Sequence, residues 1–499
     1  MGKKSSWLFL ASMSVLLATS QILADVPNWS QFRGPNGSGI AAANADPPVN
    51  FGPQQHLLWK TALPPGHSSP CIWGNRIFLT SYEEETQTFN VLCLTRESGK
   101  IEWQRTIEVE TVEKVHATSN PANATPATDG ERVYVYIGSF GLLCYDFEGQ
   151  ELWQRPLPLL KTAFGTGTSP VVTDKFVLLN RDEKSKSFLM GIDRLTGETL
   201  WESVVDPDMQ HKTYRASYAT PVRWGNEWVI HRNGEIAAYS DAGVLQWSLP
   251  AATGGASTPV VGEETLFIGT WNNFGEDQLR VSLPDFDTFV ATNDKDGDGG
   301  ISRKEIPAEQ KIARRPEATP ETTGSDIGFG KWLFRSFDQD SSGVLSATEW
   351  QAGLEYLTQM TDNHGLVALR RPSSGTWQAP QTVWQENKSV PEVPSPVYFN
   401  GLVYMVKNGG IVSCLEEKTG RILYRKRLGT RGSFYASPIV AGERIYTASE
   451  QGVVSVFKCG NTLEVLARNN LGENIYATPA VVENKIYVRT TEHLFCFGE

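Results

Sequence analysis

Several common chemistries are missing from this chain. The six cysteines of its 499 residues include no adjacent pair, and no Cys-x-x-Cys-His stands anywhere, so covalent haem attachment is not supported. The seven histidines are scattered, without a His-Glu-x-x-His or any pair at metal-ligand spacing. There is no Gly-x-Ser-x-Gly elbow and no Walker loop, and Gly165-Thr166-Gly167 lacks the third glycine of a dinucleotide fingerprint. Basic residues are outnumbered, 45 Lys+Arg against 56 Asp+Glu, for a formal charge of −11. That balance argues against nucleic acid or an anionic membrane surface as a generic partner. Only one apolar run stands out, Trp7 to Ala18 behind Lys3 and Lys4. It is too short to span a bilayer and has the form of an export signal over residues 1–24, with cleavage expected after Ala24. No cysteine follows it, so a lipid anchor is not expected. The expected location is periplasmic or extracellular.

Eight Ser-Pro or Thr-Pro dipeptides, by contrast, each open an apolar strand. They are Ser69-Pro70, Thr125-Pro126, Ser169-Pro170, Thr220-Pro221, Thr258-Pro259, Ser395-Pro396, Ser437-Pro438 and Thr478-Pro479. After most of them come a strand, a polar turn, a second strand, a Gly-containing turn, a third strand, and a fourth ending in Trp. Blade two shows the whole unit between Ala124 and Trp153. The spacings between the prolines are 56, 44, 51, 38, 137, 42 and 41. Four short strands per period of about 40–50 residues predict an all-β, eight-bladed propeller, with proline at the innermost strand where its missing N–H costs no ladder bond. Subtracting one repeat of about 45 from the long interval leaves roughly 92 residues of guest sequence in blade five. The aromatic at Gly+4 (Trp103, Trp153, Trp201, Trp247, Tyr424) is expected to pack between blades, whereas blade seven has none. Blade eight runs out of chain after three strands, and His56 to Lys60, with Trp59, is expected to supply the fourth and close the ring.

The Ala-[Ser/Thr]-Pro opening and the Asp-x-x-Thr-Gly-x-x-x-Trp turn, clearest from Asp193 to Trp201, resemble the tryptophan-docking repeat of pyrroloquinoline-quinone-type propellers. The segment from Trp29 to Pro35 is similar to the opening of a secreted group within that family. The resemblance implies the fold, and it implies either of two functions, because the family holds quinoprotein dehydrogenases and non-catalytic scaffolds. Many of the dehydrogenases carry two adjacent cysteines over the cofactor, and none are adjacent here. The quinone is therefore not expected as a cofactor, and no catalytic residue is assigned. Alignment of the repeats places Cys93, Cys144, Cys414 and Cys496 at one third-strand position, opposite small or apolar residues elsewhere (Gly191, Ala238, Ala368, Val456). Equivalent positions in different blades lie beyond the ~7 Å reach of a disulfide, so these four are core fillers. A pair involving Cys71 or Cys459 remains open.

The guest sequence, residues 272–364, divides the propeller into residues 25–271 and 365–499 and holds two twelve-residue loops. The first runs from Asp294 through Asp296, Asp298, Gly299 and Gly300 to Glu305. The second runs from Asp338 through Asp340, Ser342, Gly343 and Val344 to Glu349. Oxygen donors stand at positions 1, 3 and 5, Gly at 6, a backbone carbonyl at 7 and Glu at 12, which suits the six to eight oxygens Ca²⁺ prefers. The pattern resembles an EF-hand pair, and the expected metal ligands are Asp294, Asp296, Asp298, Gly300 and Glu305, then Asp338, Asp340, Ser342, Val344 and Glu349. A solvated acidic loop is the alternative. Ile301 and Leu345 at position 8 are expected to pair. The Ser-x-x-Glu spacing at Ser302–Glu305 and Ser346–Glu349 predicts an exiting helix from each loop.

The links preceding the Ser/Thr-Pro marks converge on the central opening. They carry His116, His211, Lys212, Tyr214, Arg215, Tyr218, Arg431, Tyr435 and Tyr476. They form either a ligand mouth or a solvated polar rim. The expected protein is a monomeric, exported, Ca²⁺-binding propeller with a protein partner; the alternative is a quinone-dependent dehydrogenase of an alcohol or sugar.

Overall fold

The computed structural model describes residues 28–183, 187–204, 216–251, 253–272, 283–312, 327–372 and 378–499. It is an eight-bladed β-propeller whose blades are antiparallel sheets, ordered inner to outer in sequence in all but blade eight. Blade eight closes as expected. Leu57–Ala62 is its outer strand, hydrogen-bonded to His493–Phe497 with Trp59 opposite Cys496. The same register recurs around the ring: Trp103 faces Cys93, Trp153 Cys144, Trp201 Gly191, Trp247 Ala238, Trp384 Ala368 and Tyr424 Cys414. In blade seven, where no aromatic is available, Ala467 faces Val456. The predicted equivalence of the four cysteines is therefore a physical one, and all six thiols are free. Replacing Cys93 by Ala is expected to cost about 1 kcal/mol through lost packing. An intact-mass measurement under non-reducing conditions that finds Cys93 bridged would contradict this.

Trp59, Trp103, Trp153, Trp201 and Trp384 each dock on the turn glycine of the next blade, whereas Trp247 donates to Glu227 of its own blade. A Cβ at Gly99 would stand 2.4 Å from the Trp59 ring, and Trp59 Nε1 donates to Arg96 O at 3.0 Å. Trp103, Trp153 and Trp384 donate in the same way to Phe147, Arg194 and Glu417 carbonyls. The glycine is doubly required at this turn, because Gly99 also takes a φ of +69°.

The Ser/Thr of each mark has its own role. The N–H of Ser69 donates to Thr125 Oγ1 at 2.9 Å, Thr125 to Ser169 Oγ, Ser169 to Thr220, Thr220 to Thr258 and Thr258 to Ser395. Ser395 continues to Ser437, Ser437 to Thr478, and Thr478 back to Ser69 at 3.0 Å. Eight bonds thus form an unbroken belt around the hub, each contributing about 1 kcal/mol and each joining two blades.

The segment opened by Trp29 was not foreseen as a plug. Asn28–Trp29 adds a fifth strand to the inner edge of blade one. The chain then crosses the hub. Arg33, fully buried, donates to Pro396 O of blade six, Asn36 exchanges two bonds with the Arg223 backbone of blade four, and Ile40 bridges Val440 of blade seven. Its contacts with Trp73 and Arg223 lie at the far ends of the first strands, so the plug enters from the face opposite the Ser/Thr-Pro links.

Candidate functional site

The other face carries the mouth. Its rim is defined by the residue two before each Ser/Thr-Pro mark: His67, Asn123, Gly167, Tyr218, Ala256, Val393, Tyr435 and Tyr476. All eight are half-buried, whereas the residue after each of them is buried in every blade. The rim is chemically lopsided. Tyr435 stacks on Tyr476 at 5.3 Å and Tyr476 on His67 at 4.2 Å, forming an arc across blades seven, eight and one, and Tyr476 OH donates to Glu450 at 2.8 Å. Burial, with Arg489 nearby, holds His67 down to about 3, so the arc carries no charge at neutral pH. Across the opening Tyr218 meets Phe164 edge-on, and Phe164 meets His116 at 5.1 Å. His116 and Arg431 are exposed. His211, Lys212, Tyr214 and Arg215 lie outside the described residues. His67 and Asn123 were missed in the sequence, although the fixed offset from the proline mark would have found them.

The insert departs from this same face, between Thr265–Thr270 and Gly365–Arg370 of blade five. It contains three helices among the described residues: α1, Phe286–Asn293; α2, Phe329–Phe337; and α3, Ala347–Asp362. They share a core in which Phe289 and Phe337 pack on Trp350 at 4.4 and 5.4 Å. Ile301 pairs with Leu345 as expected, tying the two acidic loops together. Ser346 caps α3 with a full capping box. The helix expected after Glu305 does not form; residues 303–305 are a turn. Pro307 has no N–H to return to Arg303, and its ring would crowd that carbonyl, so a helix capped at Ser302 cannot extend past its first bond. The chain instead pairs Lys311–Ile312 with Ile327–Gly328.

Each loop curls three carboxylates inward. Asp294 accepts from Gly297 and Gly299, and Glu305 accepts from Lys295 and Ser302 at 2.8 and 2.6 Å. Those backbone N–H groups of Ser302 and Lys295 hold Glu305 down to about 2. In the second loop Asp338 accepts from Gly343, Asp340 from Ser342, and Glu349 from Gln339 and Ser346. Ser342 Oγ donates to Val344 O. Gly299 and Gly343 have φ of +80° and +81° with open space around them, so conformation and not crowding requires glycine. Asp294, Asp296 and Glu305 each offer an oxygen within 4.8 Å of the others, as do Asp338, Asp340 and Glu349. Asp298 is turned to the Gly300 N–H, outside that group. Asp338 Oδ1 is buried without a hydrogen-bond partner. An all-oxygen set with an unsatisfied buried carboxylate oxygen fits a hard divalent cation, whose charge would offset the mutual repulsion.

The insert is anchored firmly at its exit. Thr270 Oγ1 donates to Asn363 O, Asn272 Nδ2 to Met360 O at 2.6 Å, and Gln385 Nε2 to Asp362 and His364 carbonyls at 2.9 Å. Thr270 and Gln385 of blade five, with Asn272 at the insert's entry, thus satisfy carbonyls at and just beyond the end of α3. Gly254, in the link from blade four, donates to Trp271 O at 2.8 Å, which joins the insert's root to the mouth.

A family model described as outer membrane protein assembly factor BamB matches residues 51–276 and 363–493, and the chain belongs to that family. The match omits nearly all of the insert. Among curated relatives, the outer membrane protein assembly factor BamB of Salmonella typhimurium is 24% identical over 133 residues, 24% of this chain and 33% of that protein. The alignment therefore spans about a third of that relative's length. Among solved structures, BamB from Moraxella catarrhalis has a TM-score of 0.50 at 11% identity, covering 88% of this chain and 98% of that one. A europium-containing methanol dehydrogenase has a TM-score of 0.54 at 11% identity, covering 95% and 98%. The quinohemoprotein alcohol dehydrogenase of Comamonas testosteroni has 0.52 at 10% identity, covering 95% and 80%. At these identities the structures establish the fold alone. Among the described residues no helix is long and apolar enough to cross a membrane.

Proposed function

We propose that this is an exported, calcium-binding propeller that works as a non-catalytic scaffold, holding a protein partner on the face shared by the mouth and the insert. The observation that carries the reading is the pair of inward-curled acidic loops rooted on that face. Asp294, Asp296 and Glu305 would hold one ion and Asp338, Asp340 and Glu349 the other, with Asp298, Ser342 and the carbonyls of Gly300 and Val344 completing the shells. The assembly role in the relatives' name favours a protein partner. The export signal proposed for residues 1–24 places that partner in the periplasm or outside the cell.

A quinone-dependent dehydrogenase is the second reading, supported by the likeness to the methanol dehydrogenase fold. Against it stands the lack of adjacent cysteines. The purified protein, incubated with pyrroloquinoline quinone and Ca²⁺, is expected to show no bound-quinone spectrum and no dye-linked turnover of alcohols or aldoses. Turnover above background would replace the scaffold reading with the enzymatic one.

A further inference from the structure

His231 ends the second strand of blade four and is fully buried. Its ring nitrogens reach two different parts of the molecule. Nδ1 lies 2.7 Å from Ser257 O, and Nε2 lies 3.1 Å from Thr253 Oγ1. Ser257 precedes Thr258 of the hydroxyl belt. Thr253 Oγ1 is also 3.3 Å from the carbonyl of Trp271, where the insert departs. The His231 carbonyl accepts from Ser217 Oγ at 2.8 Å, beside the rim residue Tyr218. One residue thus links the hub through Ser257, the rim through its own carbonyl, and the root of the insert through Thr253.

The partners fix the tautomer. A carbonyl only accepts, so Nδ1 carries the hydrogen in the neutral ring, and Nε2 accepts from the Thr253 hydroxyl. When the ring takes a second proton, Nε2–H must donate, the Thr253 oxygen becomes the acceptor, and its hydrogen is freed for the Trp271 carbonyl.

We propose that His231 and Thr253 form a proton-operated latch: the neutral ring keeps the Thr253 hydroxyl turned into blade four, and the protonated ring hands it to the insert's root. The biological use of such a latch rests on the proposal that insert and mouth act together, but the latch itself lies in the propeller and needs no calcium. Among the described residues the charged neighbours are few. Arg232, the next residue, is bonded to Asp182, Glu235 and Tyr239. Residues 253–257 and Thr265–Thr270 carry no ionisable side chain. Beyond Trp271, His364 Nδ1 accepts from the Asn272 N–H. Burial holds His231 down to about 4, with the Ser257 carbonyl pulling the other way. Because the folded value lies below the ordinary 6.5, the stability this neutral ring contributes is complete above about pH 6.5 and is lost as pH falls toward 4. The latch therefore turns over in acid.

The test is a nitrogen-15 titration of histidine-labelled full-length protein in calcium-free buffer, from about pH 7 to about pH 4, with amide exchange followed at Gly254 and Asn272. The expected result is an Nδ1–H tautomer at neutral pH, with both amides changing exchange by about tenfold, after correction for intrinsic rates, at the His231 midpoint. Thr253→Val, which keeps the shape and removes the hydroxyl, should abolish the amide response, and Thr253→Ser should restore it. An Nε2–H tautomer at neutral pH, or amides in Thr253→Val that still follow the titration, would overturn the latch. Neither outcome depends on whether the insert binds calcium.

Discussion

A chain lacking residues 28–62 is expected to show no cooperative unfolding transition. The missing segment is both the hub plug and the outer strand of blade eight. Its loss removes the Trp59 dock on Gly99, the Phe51–Phe497 contact at 4.7 Å, the Tyr446 bond to Pro47 O and the Asn469 bonds to Phe51 N and Val49 O. It also bares the edge of His493–Phe497, a strand otherwise paired on both sides. Burial of this many apolar groups sums to well over about 5 kcal/mol, comparable with the whole net stability of a typical domain. The single change Trp59→Ala, which leaves the plug, should cost about 2–4 kcal/mol by urea denaturation. A truncated chain that melts at the intact protein's temperature would show that ring closure contributes little.

Glu305→Gln together with Glu349→Gln is expected to have the second-largest effect. Each glutamate is the proposed position-12 ligand of its loop and already accepts two or more hydrogen bonds that aim it inward. Neutralising both removes the bidentate ligand of each site and should weaken Ca²⁺ binding on the order of a hundredfold or more. In hydrogen exchange at millimolar Ca²⁺, residues 283–305 and 338–362 of the double variant should exchange as the calcium-free native protein does. Because the exit of the insert is bonded to Thr270, Asn272 and Gln385, part of the change should reach the Gly254 link. A response confined to the insert would mean that calcium only folds this module and does not act on the mouth.

The repeat architecture was legible because it is written locally. Proline marks the innermost strand, Gly and Trp mark the outer turn, and each blade repeats both. Trp59 near the start and three strands at the end were enough to predict the closure that the pairing with Cys496 confirms. The acidic loops were legible for the same reason, as a twelve-residue rule with a residue type at each place. Features that depend on bringing distant segments together were not. Nothing local in Trp29 to Pro35 says that Arg33 will meet Pro396 or Asn36 will meet Arg223. The belt of hydroxyls was not legible either, because each Ser/Thr oxygen accepts from the backbone of a different blade. The helix expected after Glu305 failed at Pro307, a local signal outweighed by the Ser-x-x-Glu spacing. At the mouth, residue type pointed to His116 and Arg431, whereas position relative to the proline mark identifies the rim, including His67 and Asn123.

The central claim, a calcium-bearing insert built on the mouth face of the propeller, is tested most directly by titrating the metal-stripped full-length protein with Ca²⁺ in a calorimeter. Two ions per chain are predicted, with dissociation constants at or below about 10⁻³ M, the weak end for extracellular modules. A heat trace indistinguishable from buffer up to millimolar Ca²⁺, with the protein still folded, would contradict it.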